Sequence, residues 1–176
     1  MKTIADYPML VVDPKPDDIM WIFDGEWSIL DNFAPLPIEV DIGWGRKVYP
    51  TSEHAFAAAK TNSPRLAENI RKAPTPAHAK GLGRACNLKS SWEDIKFRVM
   101  WHVLQHKFGQ HPEACKALLQ SNDRLIFEGT TWEDRVWGVV RRPGSTRWEG
   151  RNALGSMLME IRGTLNVAST VKRRTK

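Results

Sequence analysis

The chain has 176 residues, 41% hydrophobic and 26% charged, which is the profile of a soluble globular protein long enough to bury a core. No apolar run approaches the about 20 residues needed to span a bilayer, so no membrane-spanning helix is expected. The formal charge is +6, but Lys172, Arg173, Arg174 and Lys176 crowd the C-terminus, so the high pI describes a tail more than a groove built for nucleic acid.

In chain order, Met1 to Val12 lacks the apolar core and small-residue cleavage site of a signal peptide, and a cytoplasmic protein is expected. Residues 18–48 read as short strands and turns. Ile19 to Phe23 is a compact apolar run that suits a buried strand. Ile38 to Asp41 alternates apolar and polar, Gly43-Trp44-Gly45 is a turn, and Lys47 to Tyr49 returns as a strand. Helices are expected at 52–61, 64–73, 76–83, 91–108 and 111–120, with Pro64, Pro76 and Pro112 each in a first turn. Gly81 and Gly83 read as a helix terminator. Leu125 to Glu128 is a strand, 131–151 a polar, Trp-rich loop, and 152–165 a last helix with Leu154, Met157, Leu158 and Ile161 on one face. Three stretches follow: an N-terminal extension at 1–17, one domain at 18–166, and a basic tail at 167–176 read as a solvated end with weak non-specific phosphate affinity.

The segment Pro50 to Lys60 carries chemistry. Thr51 or Ser52 caps a helix whose first turn holds Glu53, where unpaired N–H groups favour an ionised carboxylate. Glu53, Phe56 and Lys60 project from nearly one side. Glu53, Glu128 and Asp134 each stand beside aromatics: Phe56, Phe127, and Trp132 with Trp137. An anion beside a sugar stabilises the oxocarbenium-like state of glycosidic cleavage, although on sequence alone a salt bridge or turn is the more ordinary reading of Glu128 and Asp134. Trp92 and Trp137 stack a base or fill a core. Arg141, Arg142, Arg147 and Arg151 form a phosphate clamp or a solvated loop. His102 and His106 have metal-pair spacing without a third ligand, so no metal and no cofactor is expected. Cys86 and Cys115 form no motif and read as reduced thiols.

Asp31-Asn32-Phe33, Pro50 to His54 with Lys60, Ala79 to Arg84, Trp92, Val99-Met100, Lys107-Phe108, Leu125 to Glu128, Asp134 with Trp137-Gly138, and Asn152 to Gly155 leading to Leu158-Met159 follow one another over residues 21–165. In that order they resemble the NADAR, or YbiA-like, family. The resemblance implies a compact, helix-rich α+β domain with a few short strands, and hydrolysis of N-glycosidic bonds between ribose and a base. It further implies catalytic roles for Glu53, Lys60 and Asp134. The pocket it implies is formed by Asn32, Phe33, His54, Arg84, Trp92, Glu128, Trp137, Gly138 and Asn152. Substrate classes in the family are ADP-ribose on guanine in nucleic acid and phosphoribosylated intermediates of riboflavin synthesis. Two departures stand out. Ala57 and Ala59 replace the family's glutamines, and Val139 to Gly144 opens a longer Arg-bearing loop that suits the larger substrate. A non-catalytic binder of ADP-ribose or nucleic acid is the rival of another class.

Overall fold

The structure, a computed structural model, describes residues 2–13, 15, 19–21, 25–129 and 133–174. Ile22, Phe23, Trp132 and Lys176, used above, lie outside the described residues. The fold is α+β. In chain order it comprises β1 (Leu10–Val12), β2 (Ile19–Trp21), β3 (Ile38–Asp41), β4 (Arg46–Tyr49), α1 (Ser52–Ala58), α2 (Pro64–Arg71), α3 (Pro76–Ala85), α4 (Trp92–Gln110), α5 (Pro112–Gln120), β5 (Leu125–Phe127), β6 (Val140–Arg141), β7 (Trp148–Gly150) and α6 (Ala153–Arg174). Two compact units are interleaved along the chain: Met1–Thr3 with Asp31–Pro112, and Ile4–Leu30 with Glu113–Lys176.

In the first unit, three helices start the same way. Thr51, Ser63 and Thr75 are extended residues whose side-chain oxygens accept the N–H of His54, Leu66 and His78, and Pro64 and Pro76 fill the first turns of α2 and α3. Each cap satisfies a donor that the helix itself cannot. The antiparallel β3–β4 hairpin buries Ile38 and Val40 and exposes Glu39 and Asp41, the alternation expected of a half-buried strand. Its turn uses Gly43 and Gly45 at φ +96° and +74°, a left-handed region that glycine enters without strain.

Helix α1 is the centre of this unit. Every residue from Ser52 to Ala58 is buried, and the helix packs against α2, α3 and α4. A helix enclosed on all sides needs small residues where its neighbours come near. Ala55, Ala57 and Ala58 supply them, and Gly83 completes the fit: a Cβ at Gly83 would lie 2.9 Å from the Ala57 Cβ. Gly81 and Gly83 therefore do not terminate α3, which runs on to Ala85. The second glycine is there for a close helix crossing.

In the second unit, β1, β7 and β6 form an antiparallel sheet, and β2 pairs in parallel with β5. Residues 131–151 are thus not all loop, because β6 and β7 lie within them. The stretch expected as an N-terminal extension contributes β1, with Val11 opposite Glu149. Helix α6 packs on β5 and continues to Arg174, so the basic tail is helical to that point rather than a loose end. No helix among the described residues is long and apolar enough to cross a membrane.

The two α3 glycines separate under substitution. Gly81→Ala, with nothing within 4 Å of the added Cβ, should stabilise the fold by about 1 kcal/mol through helix propensity. Gly83→Ala should destabilise it by about 1–2 kcal/mol, because the clash with Ala57 outweighs the same gain. Urea melts of the two variants check this, and equal midpoints would contradict the packing of α1 on α3.

Candidate active site

Glu53 enters the first turn of α1 with its backbone N–H donated to the Asn32 carbonyl at 3.0 Å. Its side chain is 6% exposed. Among the described residues no donor hydrogen-bonds its carboxylate and no cation reaches it within salt-bridge distance. Burial dominates its ionisation: desolvation, opposed by Lys80, Lys60 and Arg84 and reinforced by Asp31, pushes the carboxyl up to about 7. The expectation that a first-turn position keeps Glu53 firmly ionised is therefore corrected. The N-terminal field of a seven-residue helix is outweighed by the loss of water around the group. A buried carboxylate left without partners is costly to a fold, and such groups concentrate where chemistry is done.

Cations and aromatics surround this end of α1. Lys60 does not continue the helix but follows it in a turn, its N–H bonded to the Ala57 carbonyl at 3.2 Å. Its Nζ lies 5.2 Å from the Phe56 ring centre and 5.9 Å from that of Trp92, and those two rings are 5.1 Å apart. Burial lowers the Lys60 amine from its ordinary value, while Glu53 opposes the shift. Lys80 and Arg84 stand one helical turn apart on α3, and Lys80 Nζ is 5.3 Å from the Phe33 ring. Asn32 is 6% exposed, and its Nδ2 donates weakly to the Met100 sulfur at 3.5 Å. Trp92 is 4% exposed against Phe56, so it serves here as a packing wall.

Several residues expected in the pocket are struts. The His54 ring is 1% exposed and bridges Thr51 Oγ1 at 2.9 Å and the Ala73 carbonyl at 3.1 Å. A carbonyl only accepts, so Nε2 carries the proton and Nδ1 accepts from the Thr51 hydroxyl. Burial lowers the His54 value, in keeping with a neutral ring that ties α1 to the end of α2. Asn152, fully buried at φ +48°, accepts the Glu128 N–H and donates to the Ile126 carbonyl. Its amide is spent on β5 and on the residue that follows it. In the same unit Asp134 Oδ1 accepts the N–H of both Val136 and Trp137, at 3.1 and 2.9 Å, so it shapes the turn that carries Trp137. Trp137, Gly138 and Glu128 are joined through backbone bonds to Leu154, Asn152 and Val139.

Three of the four clustered arginines have protein partners. Arg151 donates to the Tyr7 carbonyl, Arg142 pairs with Glu149, and Arg141 lies against the Trp148 ring. Among the described residues no group of three metal-ligating side chains occurs, and His102 is turned to the Asp41 carbonyl while His106 meets Gln110. Reading by sequence alone named Asp31, Lys80 and Lys107 within the motifs of the resemblance but gave them no part in the site. The signals were present: Lys80 precedes Arg84 by four residues, and Lys107 interrupts the apolar face of α4.

The Glu53 carboxyl titrates near 4.5 when solvated and near 7 in the fold. Between those values the folded state binds more proton, so its stability falls as pH rises, and the cost of the buried charge is complete above pH 7. Glu53→Gln should therefore exceed the wild type by about 3 kcal/mol at pH 8, with the gap closing toward pH 4.5. Denaturant melts of both proteins at pH 5 and pH 8 measure it. A gap independent of pH would mean that Glu53 is solvated.

Comparison with known proteins gives the family. Residues 22–166 match the NADAR domain family. The chain is 35% identical over 144 residues to the N-glycosidase YbiA of Escherichia coli, covering 81% of this chain and 84% of that protein. It is 28% identical over 180 residues to the chloroplastic riboflavin biosynthesis protein PYRR of Zea mays, covering 93% of this chain but 28% of the maize protein. The NMR structure of E. coli YbiA superposes with a TM-score of 0.70 at 34% identity, covering 86% of each chain. The chain belongs to the NADAR domain family.

Proposed function

We propose that the protein is an N-glycosidase that hydrolyses the bond between ribose and a base, with ADP-ribose on guanine in nucleic acid as its substrate class. The observation that carries the reaction type is the buried, unbonded Glu53 carboxylate among Lys60, Lys80 and Arg84. A base matched to neutral pH transfers protons most effectively, and burial has brought Glu53 to that range. The E. coli relative, named an N-glycosidase, supports the same chemistry.

In this reading the ribose lies over Glu53. The C1′–N bond breaks, and its electron pair departs with the base. The negative charge of Glu53 steadies the cationic sugar. Water bonds to C1′ and gives its proton to Glu53, from which a proton returns through solvent to the base. Lys60 hydrogen-bonds a ribose hydroxyl, and Lys80 and Arg84 attract phosphate. Water activation in this reading falls to Glu53. Asp134 keeps the catalytic role that the family resemblance implies for it.

The larger substrate is favoured by Arg141, Arg142 and Arg147, which remain exposed in the second unit. The second reading, a phosphoribosylated aminopyrimidine of riboflavin synthesis, is favoured by the printed name of the maize relative and by a Vibrio vulnificus relative also named a riboflavin biosynthesis protein.

Mass spectrometry of free base and sugar products, with both substrates side by side, tests the assignment. Glu53→Gln should lower kcat by about 10²–10³-fold while remaining folded. The wild-type kcat/KM should rise with pH through about 7, as Glu53 ionises. Asp134→Asn keeps the acceptor for the Val136 and Trp137 N–H groups, so a loss of turnover there reports chemistry rather than the turn. Tight ligand binding with no base released, by wild type and Glu53→Gln alike, would make the protein a binding module instead.

A further inference from the structure

The segment before β3 carries an aromatic ring on a fastened turn. Asp31 Oδ1 accepts the Phe33 N–H at 3.1 Å, and the Asp31 carbonyl accepts the Ala34 N–H at 3.2 Å. That same carbonyl takes the Lys107 ammonium at 2.7 Å. Lys107 is 1% exposed, so a buried donor from α4 secures the turn from inside the protein. The next carbonyl, that of Asn32, accepts the Glu53 N–H at 3.0 Å. Phe33 thus follows the residue bonded to the first turn of α1, and its backbone is set before a ligand arrives, which spares the ordering cost of binding.

The other aromatic rings of this unit are buried or engaged elsewhere. Phe56 and Trp92 are 5% and 4% exposed and pack on each other with ring centres 5.1 Å apart. Tyr49, Phe97 and Phe108 are buried. Trp44 donates its indole N–H to the carbonyl of Ala58, the last residue of α1, and Lys2 Nζ lies 4.7 Å from the Trp101 ring centre. Phe33 is only half-buried. An apolar ring fixed in a part-exposed position forgoes some of the burial open to it. A flat base laid on the ring recovers that burial, because every base has a π-face and stacking needs no hydrogen-bond match.

A cation attends the same ring. Lys80 Nζ stands 5.3 Å from the Phe33 ring centre. Helix α3, which carries Lys80, lies against α1 at Gly83, where an added Cβ would meet the Ala57 Cβ at 2.9 Å. The ring nitrogens and carbonyl oxygens of a base are acceptors for an ammonium. Such a cation also steadies the charge that the base carries off with the electron pair of the C1′–N bond.

We propose that Phe33 is the platform on which the departing base stacks, with the Lys80 ammonium beside it. The assignment rests on Glu53 being the reacting carboxylate, and it adds to that reading the surface that holds the leaving half of the substrate.

The test is inhibition of wild type, Phe33→Leu and Phe33→Trp by two probes, guanosine for the leaving half and ADP-ribose for the sugar half. Phe33→Leu keeps apolar bulk and the Asp31 turn, which uses only the backbone N–H of residue 33. It should weaken inhibition by guanosine about 10-fold and inhibition by ADP-ribose less than about twofold, and Phe33→Trp should restore the guanosine value. Saturation-transfer NMR reads guanosine binding directly, whether or not the protein turns over. A wild type that binds no guanosine, or guanosine binding unchanged in Phe33→Leu, overturns the proposal. An equal loss for both probes gives Phe33 a merely structural role, and a loss for ADP-ribose alone puts the adenine on the ring; either overturns it too. Guanosine binding that depends on Phe33 in a protein that cleaves neither substrate upholds the platform and refutes the glycosidase reading.

Discussion

The desolvation of one carboxylate organises this protein. Glu53 begins a helix enclosed on every side, and that enclosure separates it from the water that keeps an ordinary glutamate ionised below neutral pH. Small residues make it possible: with Ala55, Ala57 and Ala58 on α1 and Gly83 on α3, neighbouring helices approach nearly to backbone contact.

The supporting residues divide by task. His54, Asn152 and Asp134 use their polar atoms on backbone groups and hold α1, β5 and the Trp137 turn in place. Lys60, Lys80, Arg84 and Asp31 act on Glu53 through charge at a distance. Polar groups in direct contact and charges at a distance thus play different parts. Struts set the geometry within a fraction of an ångström, and the charges set the proton affinity.

Much of the fold was legible in the sequence, because local chemistry decided it. Thr51, Ser63 and Thr75 start helices by side-chain capping, two of them with proline in the first turn, and Ile38 to Asp41 alternates as a half-buried strand must. The failures share a cause, which is tertiary context. Gly83 sits inside a helix because Ala57 lies against it. Trp148 to Gly150 forms a strand because Leu10 to Val12, far away in sequence, pairs with it. Order of motifs pointed to Glu53, but its ionisation could not be read from position, since a first helical turn favours the anion and only packing reveals the stronger opposing cost. Asp31 and Lys107 were given no role for the same reason: each is ordinary alone, and their relation joins α4 to the segment before β3.

The central claim is that the residue 53 side chain faces the ribosyl carbon whose bond to nitrogen breaks. A crystal structure of Glu53→Gln with an uncleaved ribosyl substrate tests it most directly. The account predicts C1′ within about 3–4 Å of the residue 53 side-chain amide or of one intervening water. A ribose seated elsewhere, with residue 53 still buried and facing protein atoms alone, would contradict it.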